Sequence, residues 1–599
     1  MSSKAEAEFI YEDFVLHTAP EKFFIEPLQA PNEVLVIDRV SRDIALHNGI
    51  TVPPIASRQR ICGLLGTVRL LSGPYLVAIT RKARVGELNK CTIWRVEHTE
   101  IIPFSRTTTH LTEAQERFNT QYVNMLEMVL RQPHFYFSYT YDITQTIQRL
   151  HNTTPEFLQI PLHERADPRF VWNSHLLRDL AARPGLGRFC LPVVHGFVSI
   201  KQCSLNGHPF SWSLVSRRNC SRAGTRMFMR GIDSGGNVAN MVETEQIVEF
   251  QGDKNSFVQT RGSIPLFWSQ YPNLRYKPTP TLSERDNHQE ACTRHFDAQL
   301  FNYGKQVVIN LIDQKGAEKK LGESMSSHIR QLNTPNVRYE AFDFHHECRH
   351  MRWDRLSILM DRIAEEQEEM GYFLMTRDGV LARMQDGVFR TNCIDCLDRT
   401  NVVQSMIAHR QLQQALQRLS ILREDQRLEE HSGFEFLYKN VWADNADMIS
   451  IQYSGTPALK TDFTRTGQRT KLGLVRDGYN SLCRYVKNNF KDGFRQDSID
   501  LFLGNYQVEE DEGTARPSPL AGETDWRFTV LLAILLGSVF MFLTTVLVPS
   551  AYSAETLLYM LFWGLMAYGT TAVILVYGGE FVQNPRLCPR RPRAKLGRA

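Results

Sequence analysis

A loop that begins with a cysteine and ends with an arginine constrains the fold of this chain more than any other feature. Cys393 is followed after five residues by Arg399 and Thr400, an apolar stretch at 387–389 precedes it, and a helix-like stretch begins at Asn401. Strand, loop and helix in that order can curl backbone N–H groups around one tetrahedral anion. The pattern therefore predicts an α/β unit with an anion-binding loop at the start of a helix.

The residue types in this loop predict covalent phosphate chemistry. A cysteine attacks as the thiolate, which the helix N-terminus, the loop amides and the Arg399 guanidinium all favour. Arg399 can hold two phosphate oxygens in a planar fork, and this contact strengthens as charge spreads in the transition state. Thr400 can donate a hydrogen bond to the departing sulfur. We therefore expect Cys393 to form a phospho-cysteine that water then hydrolyses.

Other uses of the same residues compete with this hypothesis. Cys393 and Cys396 form a Cys-x-x-Cys pair, which also occurs in redox sites and as half of a zinc site, and the spacing could serve structure alone. The chain has no second such pair, and a redox site leaves Arg399 and Thr400 without a role. Phosphatase chemistry is therefore favoured, and oxidation could still join the two cysteines in a reversible disulfide.

Two acidic residues inside the loop leave the proton donor undecided. Asp395 and Asp398 lie where they would oppose a bound dianion. Asp395 is the candidate acid for the leaving oxygen if burial raises its pKa, and Asp398 could orient Arg399 or cap the helix. Catalysis and loop architecture stay open for both.

The loop and four further blocks resemble the Sac-domain phosphoinositide phosphatases. Residues 390–401 follow that family's pattern Arg-x-Asn-Cys-x-Asp-Cys-Leu-Asp-Arg-Thr-Asn. The other blocks are QTRGSIPLFWSQ at 259–270, FDFH at 342–345, RWDRL at 352–356 and KTDFTRTG at 460–467. The resemblance covers roughly residues 10–506. It implies removal of one phosphate from inositol lipids, chiefly phosphatidylinositol 4-phosphate and also the 3-phosphate, without a metal or other cofactor.

The resemblance also extends the set of candidate site residues. It marks Asp395, Asp398 and Thr400 as motif residues beside Cys393 and Arg399. The predicted substrate-binding set contains loop and block residues and two members of an arginine run: Asn392, Ile394, Cys396, Leu397, Arg261, Lys460, Arg218 and Arg222. Arginines recur at every fourth position from 218 to 230 and share one face in a helix or a strand. That face is either a solvated surface or a cationic surface for the membrane or the inositol phosphate.

Composition indicates a large folded protein in a reducing compartment. The 599 residues are 42% hydrophobic and 22% charged, enough for several domains with substantial cores. Eleven cysteines without a framework pattern indicate free thiols. A net charge of +4 is too small to indicate nucleic-acid binding.

Two uncharged stretches near the C-terminus predict a membrane hairpin. Residues 528–548 and 557–577 are each 21 residues long, about 31 Å as a helix, which matches a bilayer core. The loop between them lacks Lys and Arg, whereas the tail is rich in Arg, so we expect the tail, the catalytic part and both termini in the cytosol. A buried soluble hairpin is the alternative. The resemblance implies the endoplasmic reticulum and Golgi membranes, with protein partners there.

The pattern of apolar runs divides the rest of the chain. We expect a β-rich subdomain at 1–185 and an α/β catalytic subdomain at 186–506, including a strand at 306–312 and helices at 352–370 and 401–419. Residues 507–526, acidic and then rich in Pro, Ser and Gly, predict a flexible linker to the hairpin at 527–577, with a basic tail at 578–599. A phosphoprotein phosphatase and a catalytically idle lipid-binding adaptor remain alternatives.

Overall fold

Three β-sheets with helices packed around them form the described part of the chain before the hairpin. The computed structural model describes residues 9–54, 56–349, 352–466, 470–522, 526–547 and 553–590. The first sheet is antiparallel and contains β1 (Phe14–Thr18), β2 (Lys22–Pro27), β3 (Glu33–Asp38), β4 (Ile44–Asn48) and β5 (Ser57–Ile61). Its strand order is β4-β3-β2-β1-β5. Alternate side chains such as Leu35 and Ile37 face one apolar core, as the period of a strand requires.

A 13-stranded mixed sheet forms the centre of the molecule. The remaining strands are β6 (Gly63–Leu70), β7 (Gly73–Leu88), β8 (Cys91–Pro103), β9 (Phe135–Phe137), β10 (Val194–Leu205), β11 (His208–Arg218), β12 (Val242–Phe250), β13 (Asp253–Arg261), β14 (Trp268–Ser269), β15 (Thr281–Leu282), β16 (Lys305–Asn310), β17 (Val337–Ala341), β18 (Phe373–Met375), β19 (Leu381–Arg383) and β20 (Gly387–Asn392). The main path runs β17-β16-β20-β13-β12-β11-β10-β9-β8-β7-β6. Off this path, β18 pairs with β13 and with β19, and β14 pairs with β15 in a third sheet. Strands β17, β16, β20 and β13 are parallel, and the rest of the path is antiparallel.

Fifteen α-helices accompany these sheets in the described residues before the hairpin. They are α1 (Glu113–Leu130), α2 (Ile147–His151), α3 (Pro155–Gln159), α4 (Leu162–Arg165), α5 (Ser174–Ala181), α6 (His288–Tyr303), α7 (Lys319–Gln331), α8 (Phe344–Glu347), α9 (Leu356–Arg362), α10 (Ala364–Met370), α11 (Asp398–Arg418), α12 (Ser432–Ser454), α13 (Thr461–Thr466), α14 (Lys471–Phe490) and α15 (Asp492–Phe502). The mixed α/β class with a β-rich first part is confirmed. The single helix expected at 352–370 is instead α9 and α10, separated by the fully buried Ile363.

The boundary expected near residue 185 falls inside the large sheet. Strand β9 precedes that boundary and β10 follows it, yet the two pair in register, with Tyr136 opposite Val194. The expected subdomains therefore share one sheet. Composition alone could not show this, because the pairing joins residues far apart in sequence.

A buried cluster of charged side chains joins helix α2 to the large sheet. Glu243 on β12 is fully buried and accepts hydrogen bonds from Arg149 Nη2 at 2.9 Å, Arg217 Nη1 at 3.0 Å and Tyr303 Oη at 2.7 Å. Burial raises the pKa of Glu243, but Arg149 and Arg217 outweigh it and hold that pKa below its ordinary value. This contribution to stability is therefore lost as the pH falls through the folded pKa.

Glu243→Gln is expected to lower the free energy of unfolding by about 3–5 kcal/mol, because it leaves buried guanidinium groups without their counter-charge. Urea denaturation of the full chain in detergent, followed by tryptophan fluorescence, measures the change. Glu113→Gln, at a side chain that is 90% exposed, is the control and should stay within about 0.5 kcal/mol of the parent. Equal midpoints for the two variants would show that the cluster contributes no stability.

Two apolar helices follow near the C-terminus. They are α16 (Trp526–Leu547) and α17 (Ala554–Val576), and they pack against each other. Their spanning segments have mean hydropathies of 2.6 and 1.6 and are only 6% and 11% buried. Both are long and apolar enough to cross a membrane. Unlike the apolar face of a core helix, their apolar side chains are mostly exposed. Residue 548, the expected end of the first span, lies outside the described residues.

The segment expected to be a flexible linker is packed against the protein. Glu512 is 3% exposed and accepts hydrogen bonds from Tyr122 Oη and Ser518 Oγ, and its carbonyl accepts one from Gln115 Nε2. Leu520 joins the same apolar core as helix α1. The prediction of flexibility for residues 507–522 was wrong, because the partners that bury this acidic stretch lie almost 400 residues earlier in the chain.

The first part of the basic tail is also docked. The Asp497 carboxylate on α15 accepts hydrogen bonds from the Arg586 and Leu587 amides at 2.9 Å, and Arg590 pairs with Asp500 at 2.9 Å. Leu587 is 6% exposed. The chain before the hairpin is therefore packed on α1 and the chain after it on α15, and the rest of the tail lies outside the described residues.

Candidate active site

The predicted loop connects a central parallel strand to a helix. Strand β20 lies between β16 and β13, and Cys393 follows its last residue. Helix α11 begins at Asp398, five residues later. Ligands in α/β sheets bind at the carboxyl ends of parallel strands, where helix N-termini also point. The expected strand, loop and helix are confirmed, and they place Cys393 at such an edge.

A cavity of about 350 Å³ opens over the loop. Cys393 lines it and is 2% exposed, and Thr400 Oγ1 lies 3.5 Å from Cys393 Sγ with its hydroxyl as donor. Ile394, Asp395, Asp398, Arg399 and Lys460 also line the cavity. The structure therefore brings together six of the predicted residues around one volume, with Thr400 directly behind the sulfur.

The Arg399 guanidinium lines the cavity and is paired with two carboxylates. Its Nη1 lies 3.3 Å from Asp313 Oδ1 and 3.5 Å from Glu318 Oε2, and it donates to the Leu311 carbonyl at 3.0 Å. Burial lowers the pKa of this guanidinium, but the charges of Cys393, Glu318 and Asp313 outweigh burial and raise it. Among the described residues, Nε and Nη2 have no hydrogen-bond partner, so two donors remain for phosphate oxygens.

Asp395 is held as a carboxylate by two arginines. Its Oδ1 lies 2.7 Å from Arg230 Nη2 and 3.3 Å from Arg226 Nε. Burial raises the pKa of Asp395, but these two cations dominate and hold it far below its ordinary value. A carboxyl that stays ionised cannot supply a proton, so this setting favours loop architecture, the second of the two roles left open for Asp395, over the role of acid. Asp395 fixes the loop instead, since Arg230 Nη1 also donates to the Ile394 carbonyl at 2.8 Å.

Asp398 is the loop carboxyl whose pKa is raised by burial, the condition stated above for an acid at Asp395. It occupies the first turn of α11, lines the cavity and accepts a hydrogen bond from the Leu459 amide at 3.0 Å. Burial raises its pKa, against the opposing effect of Arg484 and the Leu459 hydrogen bond. The same contact holds the segment with Lys460 at the cavity wall.

Several predicted binding residues support the loop from behind, and their side chains do not line the cavity. Asn392 donates to Asn310 Oδ1 at 2.6 Å within the sheet, and Leu397 packs in an apolar cluster. Cys396 has φ +53°, a sparsely populated conformation for a residue with a side chain. Its Sγ donates to the Gly262 carbonyl at 3.0 Å, and burial raises its pKa to about 12. The disulfide with Cys393 stays a prediction.

Of the other predicted arginines, Arg261 and Arg218 are buried and Arg222 is half-buried, and they do not form one cationic surface. Arg261 is fully buried beneath the loop, and this burial lowers its pKa to about 10. Arg218 donates to the Gly224 carbonyl at 2.8 Å and is not among the residues that line the cavity. Arg222 lies in a separate cavity and donates to the Arg230 carbonyl at 2.7 Å. The expected common face is absent because the described residues 219–230 form turns after β11.

Some site residues were not found from the sequence. Asp313 comes shortly after strand β16, which pairs in parallel with β20, and this pairing brings Asp313 to Arg399. An acidic residue just after a predicted strand was the sequence signal that could have identified Asp313. His345 Nδ1 lies 2.7 Å from Asp313 Oδ1 and so holds that carboxylate in place beside Arg399. Arg484 and Tyr485 of α14 also line the cavity, and no local motif marks them.

Comparisons with known proteins find a matching domain model and several relatives of this chain. The model for the SacI homology domain matches residues 62–349. Phosphatidylinositol-3-phosphatase SAC1-B of Danio rerio is 52% identical over 578 residues, which cover 96% of this chain and 98% of that protein. The phosphatidylinositol-3-phosphatase SAC1 of Drosophila melanogaster is 50% identical over 589 residues, 98% of each chain. The protein of that name from Saccharomyces cerevisiae is 36% identical over 546 residues, 88% of this chain and 85% of that one. The loop lies outside the matched domain model but inside the stretch shared with these relatives.

Proposed function

This chain belongs to the Sac family of phosphoinositide phosphatases, and on that premise we propose that it hydrolyses monophosphorylated phosphatidylinositols through a phospho-cysteine. We propose phosphatidylinositol 4-phosphate as the chief substrate and the 3-phosphate as a second one. The contact that carries the mechanism is the Thr400 hydroxyl 3.5 Å from Cys393 Sγ, in a cavity that Arg399 also lines. The family resemblance supports the choice of ring position, and the names of the relatives specify the 3-phosphate.

In the first step the Cys393 thiolate attacks phosphorus, and the bond from phosphorus to the inositol oxygen breaks. Arg399 binds the equatorial oxygens as their charge grows. The leaving oxygen takes a proton, for which we propose Asp398, because burial raises its pKa and it lines the cavity. In the second step water attacks phosphorus and gives a proton to the Asp398 carboxylate, and the sulfur leaves as a thiolate that the Thr400 hydroxyl stabilises.

The two apolar helices support a membrane anchor. We propose that α16 and α17 span the endoplasmic reticulum or Golgi membrane with the catalytic part and both termini in the cytosol. Support comes from the docked tail, because residues 586–590 pack on α15 and so lie on the same side as the active site. Positive charge favours the cytosolic side. Protease treatment of intact microsomes should therefore digest the catalytic part, and protection would contradict this topology.

A substrate panel tests the function. Full-length protein in detergent, with chelator, should release phosphate from phosphatidylinositol 4-phosphate faster than from the 3- or 5-phosphate. Release from phosphotyrosine peptides alone would favour the phosphoprotein phosphatase instead. Binding of inositol lipids with no release dependent on Cys393 would favour the adaptor.

Asp398→Asn is expected to lower kcat about 100-fold, the usual contribution of one positioned acid. The raised pKa keeps the carboxyl protonated to higher pH, so the parent rate should fall as the pH rises through that value, and the variant should lose this limb. An aryl phosphate with an acidic leaving group needs no proton, so the deficit should shrink for that substrate. An equal deficit for both substrates would assign Asp398 to loop architecture.

A further inference from the structure

Helix α14 carries an exposed apolar stripe along its whole length. Seven large apolar side chains of this helix are exposed, by 41% to 79%, in the set Leu472, Leu474, Val475, Tyr479, Leu482, Val486 and Phe490. All except Leu474 lie within about 80° of one another at 100° per residue. From Leu472 to Phe490 the stripe is about 27 Å long. Other exposed apolar side chains outside α16 and α17 are scattered, whereas a continuous stripe indicates an interaction surface.

The other side of α14 belongs to the active site. Arg484 is 6% exposed and donates to Thr456 Oγ1 at 2.9 Å, and it lines the cavity together with Ser481, Tyr485 and Asn488. The stripe and the cavity are therefore on roughly opposite faces of one helix. A surface that covered the stripe would lie about 10 Å, one helix diameter, from the substrate cavity.

The C-terminal end of α14 meets the chain that leaves the apolar hairpin. The Gln583 amide, seven residues after the end of α17, donates to the Asn489 carbonyl at 2.7 Å. Asn489 Oδ1 accepts a hydrogen bond from the Leu274 amide at 3.1 Å, and Tyr485 Oη donates to the Leu274 carbonyl at 2.7 Å. One network thus holds the end of the stripe beside the base of the hairpin.

The exposed charges around the stripe are cationic. Lys471, Arg476 and Lys491 are exposed at its margins. The acidic residue of this helix, Asp477, is engaged by the Lys460 amide at 3.1 Å. An apolar face with basic margins is typical of helices that lie in a membrane interface, where anionic headgroups attract Lys and Arg.

We propose that α14 lies flat in the interface of the membrane that its own hairpin spans, with the stripe among the lipids and the substrate cavity directly above. The bilayer is favoured over a second copy of the chain because the stripe is continuous with the base of the hairpin and has cationic margins. This inference goes beyond the proposed function and rests on the anchoring proposed for α16 and α17.

Photochemical crosslinking in full-length protein tests the proposal without using activity. The photoreactive residue p-benzoylphenylalanine replaces Tyr479, which is 67% exposed on the stripe, in protein reconstituted into phosphatidylcholine and phosphatidylserine vesicles. Irradiation should give lipid adducts. Matched positions are Phe436, 62% exposed on α12, which should give none, and Tyr568, 76% exposed on α17, which should.

Each other outcome overturns the proposal in a distinguishable way. A crosslink from position 479 to a second chain would make the stripe an interface between copies. Adducts at position 568 but none at 479 would leave the anchor intact and refute the role of α14. The lack of adducts at 568 would refute the anchor, and this inference with it.

A second experiment separates membrane access from chemistry. Val475→Glu with Leu482→Glu alters only exposed side chains, so kcat/KM for a short-chain, water-soluble inositol lipid should be unchanged. For the same headgroup in vesicles, kcat/KM should fall at least about tenfold, equivalent to 1.4 kcal/mol. Phe436→Glu should leave both values unchanged. Equal rates of the double variant and the parent on vesicles would contradict the proposal.

Discussion

Cys393→Ser is expected to lower phosphate release from phosphatidylinositol 4-phosphate by roughly 10⁴- to 10⁶-fold, the loss seen when a covalent enzyme loses its nucleophile. The cysteine lies at the carboxyl end of β20 and lines the same cavity as Arg399, and the Thr400 hydroxyl donates to its sulfur. Serine keeps the size of the side chain but remains protonated at neutral pH, so it cannot attack phosphorus. Initial rates of phosphate release by full-length protein measure the effect.

A second buried cysteine provides the matched control. Cys190 is fully buried in the core beside the first sheet, away from the loop. Cys190→Ser can reduce stability, but kcat of the folded fraction should remain that of the parent. Substantial turnover by folded Cys393→Ser protein would instead show that the cysteine is not the nucleophile, and would favour direct attack by water.

Arg399→Lys is expected to lower kcat about 10³-fold, the scale at which an arginine that stabilises a transferring phosphoryl group acts. Lysine keeps the charge but loses the planar fork that binds two oxygens. The carboxylates Asp313 and Glu318 should hold either cation in the folded protein, so stability should change little. The measurement is kcat and KM on the same lipid, with circular dichroism to confirm folding.

The substitution should affect the transition state more than substrate binding. Because the fork tightens as charge spreads over the phosphate oxygens, kcat should fall with a much smaller change in KM. Arg355→Lys, at an arginine that pairs with Glu347 outside the cavity, is the control and should leave both constants near the parent values. A rise in KM with kcat unchanged would make Arg399 a binding residue only.

The catalytic loop could be predicted from the sequence because its determinants are local. The apolar strand, the five-residue arc from Cys393 to Arg399 and the helix after it lie within one short segment, and backbone geometry fixes their order in space. The roles of the two loop carboxylates could not be assigned in this way. Arg226 and Arg230, more than 160 residues earlier, keep Asp395 ionised, while Asp398 lies in a setting that raises its pKa.

The sequence-based predictions that failed concern features that depend on long-range packing. Residues 507–522 have the composition of a linker, yet Tyr122 and Gln115 of α1 bury Glu512 within them. Arginines at fixed spacing from 218 to 230 suggested a shared face, but the chain turns after β11 and Arg218 is buried. Composition and periodicity describe an isolated segment, whereas burial depends on the surfaces that the fold brings to it.

Trapping the covalent intermediate tests the central claim most directly. Full-length protein turning over phosphatidylinositol 4-phosphate in detergent is quenched within milliseconds, digested and analysed by mass spectrometry. We predict one phosphate on Cys393 that forms and decays as fast as turnover, and none on Cys396. Turnover without any phosphorylated cysteine, or with phosphate on another residue, would contradict the account.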